Sequence, residues 1–379
     1  MTVMNWPVGQ DNAGWPTEPS AMMEPGRVRT WPRGTQVGAN AAQRLLSRAV
    51  GWWDASFYTP GDRFLRNRGT GSELLDLRLG SSFVANSNDP EFLGVADVGY
   101  VWLSGVAGNS LSMTAPATAT QFIAYPLNES VATTTGVASG GATFTFSTVG
   151  AWRKIELLDV ANVVLDTIDC DAIATGATTS FQSVQNQTVT VNRSTGGRKS
   201  VAMPSRWNGG RACFLFGTDD YLECLDTWQH QMLNFSQNQS FSLLAVAREW
   251  PNAMDQRPYI RKDGGQQYAL DTQGNHPIID SRVEIAFPGR STGGSFTYGD
   301  GQVLIGVLNR SSEVLRLNTN VSFAGTKGLG QVNPANSFFV GYNRSVNVFK
   351  TFEFTAAAVW RRALTADEIA TISRHYTGA

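Results

Sequence analysis

The clearest alternation of apolar and polar positions in the chain begins at Phe352. Phe352, Phe354, Ala356, Ala358 and Trp360 fall on one face and Glu353, Thr355, Ala357, Val359 and Arg361 on the other, the period of two expected of a strand on a core. The period then lengthens. Thr365 with Glu368 three residues on forms a capping box, and Leu364 can staple to Ile369 across it. Ile369, Ile372 and Tyr376 continue at helical spacing. A long strand running into a short capped helix is expected to close a fold, and its ladder needs strand neighbours from earlier in the chain.

Those neighbours are visible in the pattern. A short helix is expected over Ala41–Val50, a strand over Gly51–Ser56, and a turn followed by a strand over Asn67–Ser82. From about Val84 to Lys199 the texture shifts to Ser, Thr, Gly and Ala, with Phe144 and Phe146 alternating on one face. Further strands are expected over Trp152–Val160, Asn162–Cys170 and Gln187–Arg193, with a hairpin turn between Leu158 and Val163. After Gly209-Gly210 the first texture returns, with a hairpin at ACFLFGTDDYLECL and strands at Ser240–Glu249 and Gly301–Arg310. The arrangement expected is one β-sandwich formed by residues 41–83 and 200–379, split by a second, inserted sandwich over 84–199.

Residues 1–40 differ from both. They show no regular period and repeat one dipeptide, at Trp6-Pro7, Trp15-Pro16 and Trp31-Pro32. Proline holds the preceding residue extended. The expectation is an extended arm whose Trp6, Trp15 and Trp31 either fill grooves on this chain's own surface or dock it to a partner.

Composition narrows the function classes. The 379 residues are 16% charged with a formal net charge of −1, a balance that supplies no field to draw in nucleic acid. No run approaches the roughly 20 apolar residues of a membrane span, and no secretory signal opens the chain, so membrane insertion is not expected. Of the three cysteines, Cys213 and Cys224 would face each other across a hairpin centred on Thr218-Asp219; free thiols are the preferred reading over a disulfide.

Several of these segments resemble a known family. GTDDYLEC, SFSLLAVARE, VLIGVLNR and the ending AAAVWRRALTADEIATISRHY are similar to successive signatures of laminin-G-like, concanavalin-type jelly rolls, and GWWDAS with NRGTGSELLDL resembles the family's opening. The closing pattern W-x-R-x-L-T-x-x-E-I is met from Trp360 to Ile369. The inserted block, with VWLSGVAGNSLSM and FTFSTVGAWRKIELLD, is similar to a module found beside such jelly rolls in minor tail proteins of tailed phages infecting actinobacteria. The resemblance implies a virion structural protein assembled in the host cytoplasm and exposed on the tail. It implies other tail proteins as partners, a host-surface glycan as ligand, and a homo-oligomer, by analogy a trimer. The alternatives are a capsid or tail decoration protein without ligand, or a carbohydrate-active enzyme.

The residues offer little catalytic chemistry. Glycoside hydrolases on concanavalin-like folds place carboxylates at E-x-D-x-E spacing. Glu73 and Asp76, like Glu223 and Asp226, are one residue too wide for it, and no catalytic residue is assigned. His230, His276 and His375 never stand four apart, and His375 is read as a partly positive imidazole complementing the closing helix's dipole. Arg198 breaks the P-loop-like run GGRKS. No cofactor is expected apart from calcium, which some laminin-G-like domains bind through loop aspartates. Asp219 and Asp220 are the candidates, although two adjacent carboxylates supply few of the six to eight oxygens calcium takes. Trp207, Trp228 and Trp250, in apparent loops, are the candidates for exposed contacts, whereas Trp360 and Phe352 are expected in the core.

Overall fold

The computed structural model describes residues 20–24, 27–31, 40–71, 75–80, 89–95, 98–127, 131–194, 200–205, 207–217, 219–224, 232–235, 239–249, 257–262, 268–273, 276–281, 290–292, 299–309, 312–317, 320–326, 337–344 and 347–377. The protein is all-β: a jelly-roll sandwich of two eight-stranded sheets carries a second sandwich of a six- and a four-stranded sheet, and a short helix ends the chain. The closing strand Phe352–Trp360 lies inside the first large sheet. Phe241–Glu249 pairs along one side of it. Ala212–Phe216 and Gly51–Asp54 share the other side, with Trp53 opposite Ala357 and Trp52 opposite Ala358. All nine residues of the strand are buried.

That burial is two-sided, which changes one expectation. Val246 pairs with Ala356 and Ala247 with Phe354, so Thr355 is an extra residue on the closing strand. Such a bulge reverses the facing of everything beyond it. Phe352, Phe354, Ala357 and Val359 therefore enter the core between the two large sheets. Ala356, Ala358 and Trp360 face the other way, into a separate core with Leu46, Ile369 and Ile372. Phe352 and Trp360 are both core residues, as expected, but of different cores.

The second core exists because helices cover that end of the sheet. Ala366–Thr377 starts at the expected capping box: the Thr365 amide donates to Glu368 Oε2 at 2.9 Å and the Glu368 amide to Thr365 Oγ1 at 3.3 Å. Leu364 and Ile369 join the same cluster, as the staple requires. Ala41–Leu46 packs beside it, capped by Asn40 and Gln43.

The facing sheet runs in the order Arg290–Thr292, His276–Ser281, Tyr268–Gln273, Arg257–Lys262, Phe338–Val340, Leu222–Cys224, Leu77–Leu79, Phe64–Leu65. Leu222–Cys224 thus belongs to the opposite layer from Ala212–Phe216. The expected hairpin is instead an arch from one sheet to the other. Alternation fixes which residues face a core but not which strand lies alongside, so the same pattern serves both geometries. Cys213 sits on the outer side of the large sheet, 3.9 Å from Glu353, while Cys224 is in the core. Both are free thiols, as is Cys170.

The smaller sandwich encloses its own core of Leu111, Phe144, Phe146, Trp152, Ile155 and Ile168 among others. Its hairpin between Gly150–Leu158 and Val164–Asp169 turns at Asn162, where φ is +64°, a conformation asparagine tolerates. The chain changes sandwich later than the texture indicates. Glu91–Val95 pairs with Ala212–Phe216 in the large sheet, whereas Val201–Met203 pairs with Tyr100–Leu103 in the small one. Residues 84–95 thus contain a jelly-roll strand and 201–203 a strand of the second sandwich.

Candidate functional site: the junction and the loop aspartates

The two sandwiches meet face to face through a buried charge. Arg248 and Glu353 sit on neighbouring strands of the large sheet, pointing out of its core. Their side chains are 1% and 0% exposed, and the guanidinium grips the carboxylate with Nη2 at 2.8 and 2.7 Å and Nε at 3.0 Å. The Tyr100 hydroxyl, from the smaller sandwich, donates to the same carboxylate, and Arg248 also donates to the Pro204 carbonyl. The guanidinium lies 5.3 Å from the Tyr100 ring centre and 5.4 Å from that of Trp207. Around this contact Tyr100, Val201 and Met203 form a small apolar cluster with Trp102, Ala151 and Leu215. A second tie joins the Gly176 amide to Asp300 at 2.6 Å. A buried ion pair whose partners are also hydrogen-bonded fixes geometry more than it adds stability.

Trp207 is therefore half-buried at the junction rather than an exposed contact residue. Arg248, Glu353 and Tyr100 form a contact between the sandwiches that the alternation pattern does not disclose. The available signal was a charge inside each of two otherwise apolar strands, SFSLLAVARE and FEFTAAAVW.

A second cluster clasps the opening of the jelly roll to its end. The Tyr376 hydroxyl donates to Asp54 at 3.1 Å, and Trp52 Nε1 lies 3.4 Å from the same hydroxyl. Asp54 also accepts from the Ser56 amide at 2.9 Å, capping the turn that follows. Burial raises its carboxyl above the ordinary range against those bonds. His375 beside them is not a cation. Burial, with Arg211 adjacent, lowers its imidazole to about 4. Positive charge at this helix end comes instead from Arg374 in the last turn and from Arg211, which donates to the His375 carbonyl at 3.2 Å.

Asp219 and Asp220 lie in the arch between the layers. Asp220 Oδ2 accepts from the Gly217 amide at 2.5 Å. Burial pushes its carboxyl up to about 7; the Gly217 bond opposes this, and Asp219, Asp89 and Glu91 add to it. One of the Asp220 oxygens is thus engaged with the backbone, and no group of three His, Cys, Asp or Glu side chains placed to hold a metal occurs among the described residues. What the arrangement does produce is pH-dependent stability. A carboxyl raised on folding contributes stability that is complete below about 4 and is lost as pH rises through about 7. Asp220→Asn is expected to flatten the fall in melting temperature across that window while leaving the acid side little changed. A scan of melting temperature against pH for both proteins checks it.

Trp6 and Trp15 lie outside the described residues, as do Trp228 and Trp250. Trp31 ends a strand, Arg27–Trp31, that pairs with Ser20–Glu24. This part of the arm is a hairpin rather than simply extended, and the cue was Pro25-Gly26 between two alternating runs. No described helix is long and apolar enough to cross a membrane.

Fold and junction together define an all-β protein of two sandwiches in face contact. No family model and no curated protein sequence matches the chain. Among solved structures it is similar to the binding domain of Paraclostridial Mosquitocidal Protein 1, at 10% identity and TM-score 0.34, over 43% of each chain. The binding domain of botulinum neurotoxin DC in complex with rat synaptotagmin II gives 10% identity and 0.34 over 43% of this chain and 42% of that one. The Ruminococcus gnavus IT-sialidase CBM40 bound to alpha2,3 sialyllactose gives 10% and 0.32 over 36% of this chain and 83% of that one. This chain thus spans less than half of the toxin domains it matches. The fold assignment rests on strand order and cores, not on these partial likenesses.

Proposed function

We propose that the chain is a virion structural protein of a tailed phage, exposed on the tail, where it attaches to glycan on the host surface without catalysing a reaction. The observation that carries the jelly-roll part of this reading is the meeting of the resembling segments: GWWDAS pairs with AAAVW, and Trp52 and Asp54 reach Tyr376 of the closing helix. The non-enzymatic part is supported by how the buried carboxylates are used. Glu353 is bound by Arg248 and Tyr100, Glu249 by Lys350 and Tyr259, and Asp54 by Tyr376. Each is buried and bonded to side chains of its own fold. In this reading the arm with Trp6, Trp15 and Trp31 joins the chain to other tail proteins, and the two sandwiches are separate folding units.

Purified, fluorescently labelled protein is expected to stain host cells and to slow phage adsorption in competition, without releasing sugar from cell-wall polysaccharide. Virions that lack the protein yet adsorb normally, together with unstained cells, would make it decoration. Released oligosaccharide would make it an enzyme.

A further inference from the structure

The smaller sandwich has one end of its six-stranded sheet on the jelly roll, through Tyr100, Val201 and Met203. At the far end of that sheet the outermost strand is Thr134–Val137. The next strand in the chain, Thr143–Phe146, is the outermost strand of the four-stranded sheet. The connection between them is fixed by backbone bonds. The Ala138 amide donates to Thr120 at 3.0 Å, Gly141 to Ala115 at 3.1 Å, and Ala115 to Ala142 at 2.9 Å. Both layers therefore end on one flank, at the opposite end of the six-stranded sheet from the strand Val201–Met203 that touches the jelly roll.

Exposed strand edges are ordinarily protected by charges, proline or a covering element. The 16 residues from Val131 to Phe146, which span both edge strands and the connection between them, contain neither a charged side chain nor a proline. Their exposed large apolar side chains are Val131 and Val137, with Val137 83% exposed. On the outer face Val137 starts a cross-strand row through Gln121 and Leu158 to Val164, which is also exposed, and Val160 and Val163 stand at the neighbouring hairpin tip. Gly136 is required here: the Phe122 ring lies over it, 2.5 Å from where a Cβ would stand, which keeps the edge strand flat against its neighbour.

We infer that this flank pairs with the same flank of a second copy of the chain across a two-fold axis. A two-fold contact sets each patch against itself, so any charge near the axis would meet its like. A flank without charge over 16 residues meets that condition, and it carries no charge pattern by which a different, charged partner would be selected. An antiparallel edge strand is also complementary to its own rotated copy, so the pairing extends the antiparallel ladder already present. Each edge strand has four residues, too few to hold two molecules alone; the contact draws on both layers and the valines beside them. The inference stands on the flank and not on the role proposed above, and it gives a pair where the analogy with tail appendages gives a trimer.

The test is the mass of the full chain in solution, by sedimentation velocity or light scattering, against the variant Thr135→Lys/Val137→Lys. Both positions are exposed, so the melting temperature is expected to stay within a degree or two while the mass falls from two chains to one. A second variant, Thr135→Cys, is expected to form a covalent dimer on mild oxidation, since the native cysteines are buried. A wild-type chain that stays monomeric at its solubility limit overturns the inference and leaves the flank to another protein. So does an oligomer whose size the lysines do not change. Binding to host cells is read separately, so failure of one leaves the other standing.

Discussion

Arg248→Ala lowers the stability of the protein by about 3–5 kcal/mol, the cost of leaving a buried carboxylate without its cation. Glu353 is fully buried and takes three contacts from this one guanidinium, so no solvent replaces what is removed. The loss does not measure the worth of the pair. Arg248→Met combined with Glu353→Gln removes both charges and keeps an acceptor for the Tyr100 hydroxyl. That double variant is expected to recover most of the stability, and a double-mutant cycle in urea separates the two quantities. If Arg248→Ala and the double variant unfold at the same urea concentration, the pair contributes as packing alone.

The second large effect is expected at Trp360. Its ring is fully buried in the core under the helices, and Nε1 donates to the Leu45 carbonyl at 3.0 Å. Trp360→Ala should cost about 3–5 kcal/mol by leaving a cavity that a rigid sheet cannot close. Trp360→Phe keeps most of the volume and loses the bond, a change worth about 1–3 kcal/mol. Because both helices pack on this core, hydrogen exchange in Ala366–Thr377 should rise first in either variant. Uniform acceleration across both large sheets would show that the helices and the sandwich open as one unit.

These two residues also mark how much the sequence discloses. The closing strand, its helix and the capping box at Thr365 and Glu368 are local patterns, and all are present in the structure. The facing of Phe352 relative to Trp360 is not local. It turns on a single extra residue, Thr355, whose existence depends on the register of Phe241–Glu249. The arch at Asp219-Asp220 was hidden for the same reason: alternation identifies a buried strand without naming its neighbour. Arg248 and Glu353 stand out as charges within apolar runs, but 105 positions separate them, and only the sheet brings them together. His375 illustrates the electrostatic limit, since burial and Arg211 decide its charge and neither is visible in the spacing.

The points where the chain leaves the jelly roll and returns to it lie on adjoining strands, with Val95 opposite Ala212. The smaller sandwich is thus held by two neighbouring covalent stalks rather than strung on one. Insertions with adjacent ends disturb a host fold little. A short β-turn can in principle bridge the same gap, so this part of the chain is an exchangeable cassette that recombination can replace without rewriting the jelly roll. The exception is the Arg248–Glu353 pair: an incoming cassette must bring its own roof for these two residues, or the pair becomes an ordinary wet contact.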